Sequence, residues 1–138
     1  MRYEDFNVGY QKIFTRIITE ELNREFGELI QDLNPVHFDE ERMKKTVYGR
    51  RVTNGLLTAS TIAVALVDMF ATEDSLPIAI RKEIEFTAPV FIGDTITATV
   101  TIQEKYPEKK RILCDCIVEK QDGTVVMKEK FLIKVMHA

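Results

Sequence analysis

The chain has 138 residues, 45% of them apolar, and a formal net charge of −3. That length and composition predict a single domain over 1–138 with a core of its own. Lysines and arginines alternate with acids instead of forming a block, which excludes nucleic acid and anionic membrane as main partners.

The opening MRYEDFNVGY has no apolar run, so no signal peptide is expected. The segment KIFTRII predicts a short strand over 12–18. Thr19 then offers an N-cap, with Glu20 and Glu21 in the first helical turn, where the helix dipole favours acids. Leu22, Phe26, Leu29 and Ile30 recur at helical spacing, predicting an amphipathic helix from 20 to about 31. Pro35 is expected to end it, because the residue before a proline is pushed to extended geometry. Asp39 can cap a further short helix over 40–45.

Gly49 marks a turn. Thr53 or Asn54 can cap the next helix, with Gly55 in its first turn. Nearly every residue from Leu56 to Phe70 is apolar or small. A helix apolar all round is a buried one, so this is the expected central helix. It is too short to span a bilayer, which needs about 20 residues.

The second half alternates with period two over 80–90, 94–106, 110–120 and 124–136. Turn signals stand at Gly93-Asp94, Pro107-Glu108 and Asp122-Gly123. Four antiparallel strands in a meander, joined by the early strand, make a five-stranded sheet with one apolar helix to wrap, an α+β layout. Cys114 and Cys116 share one strand face, so they are expected to fill core or interface rather than pair, consistent with a cytosolic protein. No third or fourth metal ligand stands near them.

Two places carry candidate chemistry. In Asp32-Leu33-Asn34-Pro35-Val36-His37 the turn at Pro35 can bring the His37 ring back to the Asp32 carboxylate. A carboxylate and an imidazole at one point can hold a water and exchange protons with it, the minimum for adding water across a double bond. The same residues could serve only as a local cap and a satisfied niche. Gly55 opens a helix whose first N–H groups are unpaired, a site for an oxyanion. Equally, its lack of a side chain could serve tight packing alone.

The Asp-x-Asn-Pro-x-His segment, followed by Asn54-Gly55 opening an apolar helix, resembles the MaoC-type acyl dehydratases, which include the (R)-specific enoyl-CoA hydratases. Phe6-Asn7-Val8-Gly9, Ile18-Thr19-Glu20-Glu21 and the stretch from Phe86 to Ile96 resemble the family's lead-in, helix start and sheet signature, with Gly93-Asp94 as hairpin turn. The resemblance covers essentially the whole chain. It implies a hotdog fold, a curved antiparallel five-stranded sheet wrapped around a long central helix. It also implies a homodimer with sheets joined edge to edge, and an acyl-thioester tunnel near the subunit interface.

Carried over, Asp32 and His37 match the catalytic pair, and the Gly55 N–H matches the group that binds the thioester carbonyl. Asn34 and Pro35 match the residues shaping the loop, and Asn34 and Asn54 stand with Gly55 on the substrate-binding side. Two places depart. Ile30-Gln31 precede the aspartate where the family often has Ser-Gly, and Asn54-Gly55 replaces a common His-Gly. The implied activity is hydration of a trans-2-enoyl thioester, on coenzyme A or acyl carrier protein, without metal or redox cofactor. A hotdog thioesterase and a non-catalytic acyl-CoA-binding module are the alternatives. Arg50, Arg51, Arg81 and Lys82 could meet phosphates or be solvated surface charge.

Overall fold

Alternating side chains build one antiparallel sheet, seen in a computed structural model that describes residues 1–137. Its strands are β1 (Gln11–Ile17), β2 (Ser75–Phe86), β3 (Thr95–Tyr106), β4 (Arg111–Lys120) and β5 (Val125–His137), in spatial order β1-β3-β4-β5-β2. Ile96, Ala98, Val100 and Ile102 of β3 and Ile112, Cys114, Cys116 and Val118 of β4 are all buried on the inner face. Both cysteines are free, and burial pushes each thiol up to about 12. They fill core, as the same-face spacing predicts.

The sheet is not a four-strand meander. Only β3, β4 and β5 follow one another, while β2 lies beyond β5 and pairs with it, Ile84 opposite Glu129. β2 ends at Phe86, with the Thr87 N–H making one more bond to the Val126 carbonyl before Pro89. Gly93-Asp94 therefore makes no hairpin. The Gly93 N–H donates to the Ile18 carbonyl at 2.7 Å, and the Ile18 N–H to the Asp94 carbonyl at 2.9 Å, locking the end of β1 to the start of β3. The other two turns stand where the sequence puts them, with Pro107–Lys109 joining β3 to β4 and the Gly123 N–H donating to the Lys120 carbonyl.

The helical layer also departs from one long helix. It divides into α4 (Gly55–Ser60), α5 (Ala63–Ala65) and a π-helical turn, Leu66–Phe70. Ser60 Oγ donates to the Leu57 carbonyl at 2.6 Å, and the backbone tightens to i→i−3 bonds at Thr61 and Ile62. Such local hydroxyl bonds compete with the helical ladder. Leu57, Ile62, Ala65, Met69 and Phe70 face the sheet and join its core. Leu56, Val64 and Val67 do not; Val67 is 65% exposed, so the segment is apolar on an open side as well.

One charged pair lies inside. The Glu129 side chain is fully buried beside Cys116, with Lys82 Nζ 2.9 Å from Oε2 and no partner for Oε1 among the described residues. Burial lifts this carboxyl above its usual range, and Lys82 draws it part of the way back. Among the described residues no helix is long and apolar enough to cross a membrane.

Candidate active site

Three short helices precede the helical layer: α1 (Glu20–Ile30), α2 (Pro35–Phe38) and α3 (Glu40–Met43). Thr19 and Asp39 cap α1 and α3 as expected, accepting the Leu22 and Arg42 N–H groups. The buried face of α1 differs from the apolar pattern. Asn23 and Gly27 are buried between half-buried Leu22 and Phe26, while Leu29 and Ile30 are exposed. A Cβ at Gly27 would overlap the Phe38 ring, so any side chain there has to push that ring aside. Asn23 Nδ2 donates to the His37 carbonyl at 3.1 Å, so α1 grips α2 at two points.

α1 stops before Pro35 acts. Gln31 adopts the left-handed conformation, φ 59° and ψ 33°. Its N–H turns back to the Glu28 carbonyl and the Asp32 N–H to the Gly27 carbonyl at 3.0 Å. These are the two bonds of a Schellman motif, and they set the backbone of Asp32. Asp32 Oδ1 then accepts the Asn34 N–H at 3.3 Å, and Asn34 Oδ1 accepts the Val36 N–H at 3.1 Å. Asn34 thereby caps α2, with Pro35 in its first turn, where a missing N–H costs nothing. Pro35 starts a helix rather than ending one.

This path returns His37 to Asp32. His37 Nε2 lies 3.9 Å from Asp32 Oδ2, and Nδ1 lies 2.7 Å from the Val52 carbonyl oxygen. The His37 side chain is mostly enclosed, whereas Asp32 is 40% exposed. Asn54 caps α4, accepting the Leu56 N–H at Oδ1, and its Nδ2 donates to Asp32 Oδ2 at 2.9 Å. Thr53 holds the helix start in place through its N–H and hydroxyl, both 2.8 Å from the Val90 carbonyl. The Gly55 N–H, first in α4, meets no acceptor among the described residues.

A cleft of roughly 450 Å³ is lined by His37, Asn54 and Gly55 together with Tyr48, Phe86 and Val90. Asp32 is not among its lining residues and meets it through His37 and Asn54. Asn34 is occupied with the α2 backbone. The fold thus brings four of the five candidate residues into one contact network, with Asn34 as its brace. Sequence reasoning missed Val52, which orients His37 through a backbone carbonyl that any residue could supply. It also missed Phe86, whose ring lies 2.7 Å from where a Gly55 Cβ would stand. Its signal was visible, an aromatic at the last inward position of a strand running toward Pro89.

The basic candidates divide. Arg51 bridges Glu20 at 2.7 Å and Glu40 at 2.8 Å, tying α1 to α3. Its guanidinium holds the Glu20 carboxyl below the usual range. Lys82 serves Glu129, and Arg50 lies 3.8 Å over the Phe91 ring centroid.

Comparison with known proteins identifies the family and the fold. The sequence model described as "MaoC like domain" matches residues 8–122. An "(R)-specific enoyl-CoA hydratase" of Rhodospirillum rubrum is 35% identical over 108 residues, 78% of this chain and 74% of that protein. A "3-hydroxybutyryl-CoA dehydratase" of Methylorubrum extorquens is 32% identical over 135 residues, 96% and 83% of the two chains. The solved (R)-hydratase from A. caviae superposes with a TM-score of 0.87 at 24% identity, covering 95% of this chain and 98% of that one. The fold is therefore the hotdog.

Proposed function

The chain belongs to the MaoC-like dehydratase family, and on that premise we propose that it adds water reversibly to trans-2-enoyl-CoA, giving (R)-3-hydroxyacyl-CoA. It acts as one domain, in the cytoplasm, without a metal or redox cofactor. The relatives named for the same chemistry support this reading. One observation carries it to these residues. His37 Nε2 and Asp32 Oδ2 stand 3.9 Å apart, beside a cleft that also holds the unpaired Gly55 N–H.

The separation is too long for a direct hydrogen bond and suits a water bonded to both. The thioester carbonyl sits on the Gly55 N–H. The water loses one proton to the Asp32–His37 pair as its oxygen bonds to C3. Electrons of the double bond move toward the carbonyl, and the Gly55 N–H stabilises the charge developing there. The pair returns one proton to C2, so the sum is addition of one water. Asp32 and His37 act as a coupled unit sharing that proton.

The chain also forms a homodimer through β2. That strand is one of the two edges of the sheet, and Leu76, Ile78 and Ile80 along it are exposed. An uncovered apolar edge invites another strand. Sedimentation showing a stable monomer would remove this part.

The deciding assay follows loss of the conjugated enoyl absorbance with crotonyl-CoA and longer enoyl-CoAs. Hydration is the expected result. Release of free thiol without hydration would replace the hydratase with a thioesterase, and binding without turnover would leave an acyl-CoA-binding module. Enoyl-pantetheine and enoyl-acyl carrier protein, run beside the coenzyme A ester, identify the carrier.

A further inference from the structure

Asn54 uses both ends of its amide. Oδ1 accepts the Leu56 N–H and Nδ2 donates to Asp32 Oδ2, each at 2.9 Å. The two bonds fix each other's direction. Turned over, the amide would aim its oxygen at a carboxylate and its NH₂ at an N–H, and both contacts would fail. The side chain is buried, 6% exposed, so water does not compete freely for it. Only the second Nδ2 proton remains for a ligand.

Helix capping does not require this side chain. Serine or aspartate caps a helix about as well as asparagine. What they lack is a donor that reaches Asp32: aspartate has none, and the serine hydroxyl stands one bond nearer its own backbone than Asn54 Nδ2. With Asn54 on Oδ2 and the Asn34 N–H on Oδ1, each carboxylate oxygen has one donor and the plane of the carboxyl is set. The next residue in the chain is Gly55.

We infer that Asn54 is a positioning residue that ties the Asp32 carboxylate to the N-terminus of α4. The water-holding pair and the carbonyl-binding N–H are thereby kept in one frame. This rests on the hydration reading above. Asn54 acts through Asp32 and takes no proton itself.

The test compares Asn54→Ser with wild type in the crotonyl-CoA assay. The cap is retained and the donor is lost. The expected result is a kcat lowered about 10- to 100-fold, the scale of a small misplacement in a catalytic group. KM should stay within about twofold, because the Gly55 N–H that holds the carbonyl is unchanged, and the melting point nearly unchanged, because the cap is kept. Asn54→Asp, which sets a second carboxylate against Asp32, should lose more. In the Asp32→Asn background Asn54→Ser should cost almost nothing further. A near-normal kcat in Asn54→Ser overturns the inference, and so does an equal loss in both backgrounds. If wild type hydrates no enoyl thioester, the functional reading fails separately. The Asn54–Asp32 link is then read from the Asn54 side-chain amide resonances, which should shift in Asp32→Ala. Unchanged resonances would overturn the link itself.

Discussion

His37 Nδ1 lies 2.7 Å from the carbonyl oxygen of Val52. A carbonyl only accepts, so Nδ1 carries a hydrogen, and Nε2 is the ring nitrogen turned toward Asp32. Val52 is itself held by its N–H, which donates to the Val36 carbonyl at 3.0 Å. The ring is thus oriented by backbone on both sides of the 36–52 segment.

Asp32→Asn and His37→Ala should each lower kcat/KM for hydration by about 10² to 10⁴, the range of positioned acid–base groups. The double mutant should be little worse than the worse single one, since both serve one water. Melting points should move little, because Asp32 is partly exposed and Asn34 still has its backbone bonds. Near-normal hydration by Asp32→Asn would remove the pair from the mechanism.

Gly55→Val should damage turnover more than stability. The new side chain must displace the Phe86 ring, which is half-exposed and free to swing outward. The backbone N–H is kept but the carbonyl is crowded away from it, and losing the use of one oxyanion donor costs about 10² to 10³ in rate. Steady-state kinetics and a thermal melt on the same sample decide this. Unchanged kinetics would place the carbonyl elsewhere.

Gln31→Gly should stabilise the protein by about 0.5–1 kcal/mol. A left-handed φ strains any residue with a Cβ, and glycine removes that strain at some entropic cost. Gln31 is exposed, so few contacts are lost. Urea denaturation measures the difference. A less stable variant would mean that the Gln31 side chain matters in a way its exposure does not suggest.

Glu129→Gln should flatten part of the pH–stability curve. The folded carboxyl lies above its ordinary range, so near and above that range the native state binds more protons than the unfolded one. Stability from this group therefore falls as pH rises through the window above about 4.3. Glutamine has nothing to titrate, and Lys82 is exposed enough to reach water. Denaturation midpoints for both proteins, from about pH 5 upward, test the sign. A wild-type curve rising through that window, with a flat variant, would contradict it.

The placement of the candidate site was more legible than the topology. Asp32, His37 and Gly55 could be read because each is a residue type whose chemistry is local to a turn or a helix start. Thr19, Asp39 and Asn54 were likewise legible as caps. The order of strands was not, because alternation reports which side chains face inward and says nothing of which strand is neighbour. β2 was joined in prediction to β3, its successor in the chain, while its partner is β5. The break in the apolar segment was hidden for a related reason. Composition marks Leu56 to Phe70 as apolar, but it carries no sign of the i→i−3 bonds at Thr61 and Ile62 or of the Ser60 hydroxyl bond beside them. Val52 had no legible signal at all.

The outlying place of β2 has a kinetic side. Turns alone bring β3, β4 and β5 together, so that meander closes only short loops. β1 must find β3 across most of the chain, Ile13 beside Thr99, and β2 must find β5, Ile84 beside Glu129. Long-range pairings of this kind form late, because their loop-closure entropy comes before any contact rewards it. α1 and the Asp32–His37 turn lie inside the loop that the β1–β3 pairing closes. Pulsed hydrogen exchange during refolding should protect β3 and β4 amides before those of β1, and simultaneous protection would refute the order. An intermediate with a formed meander would then be structured yet inactive. Mutations that loosen either outer strand would abolish catalysis before they unfold the sheet.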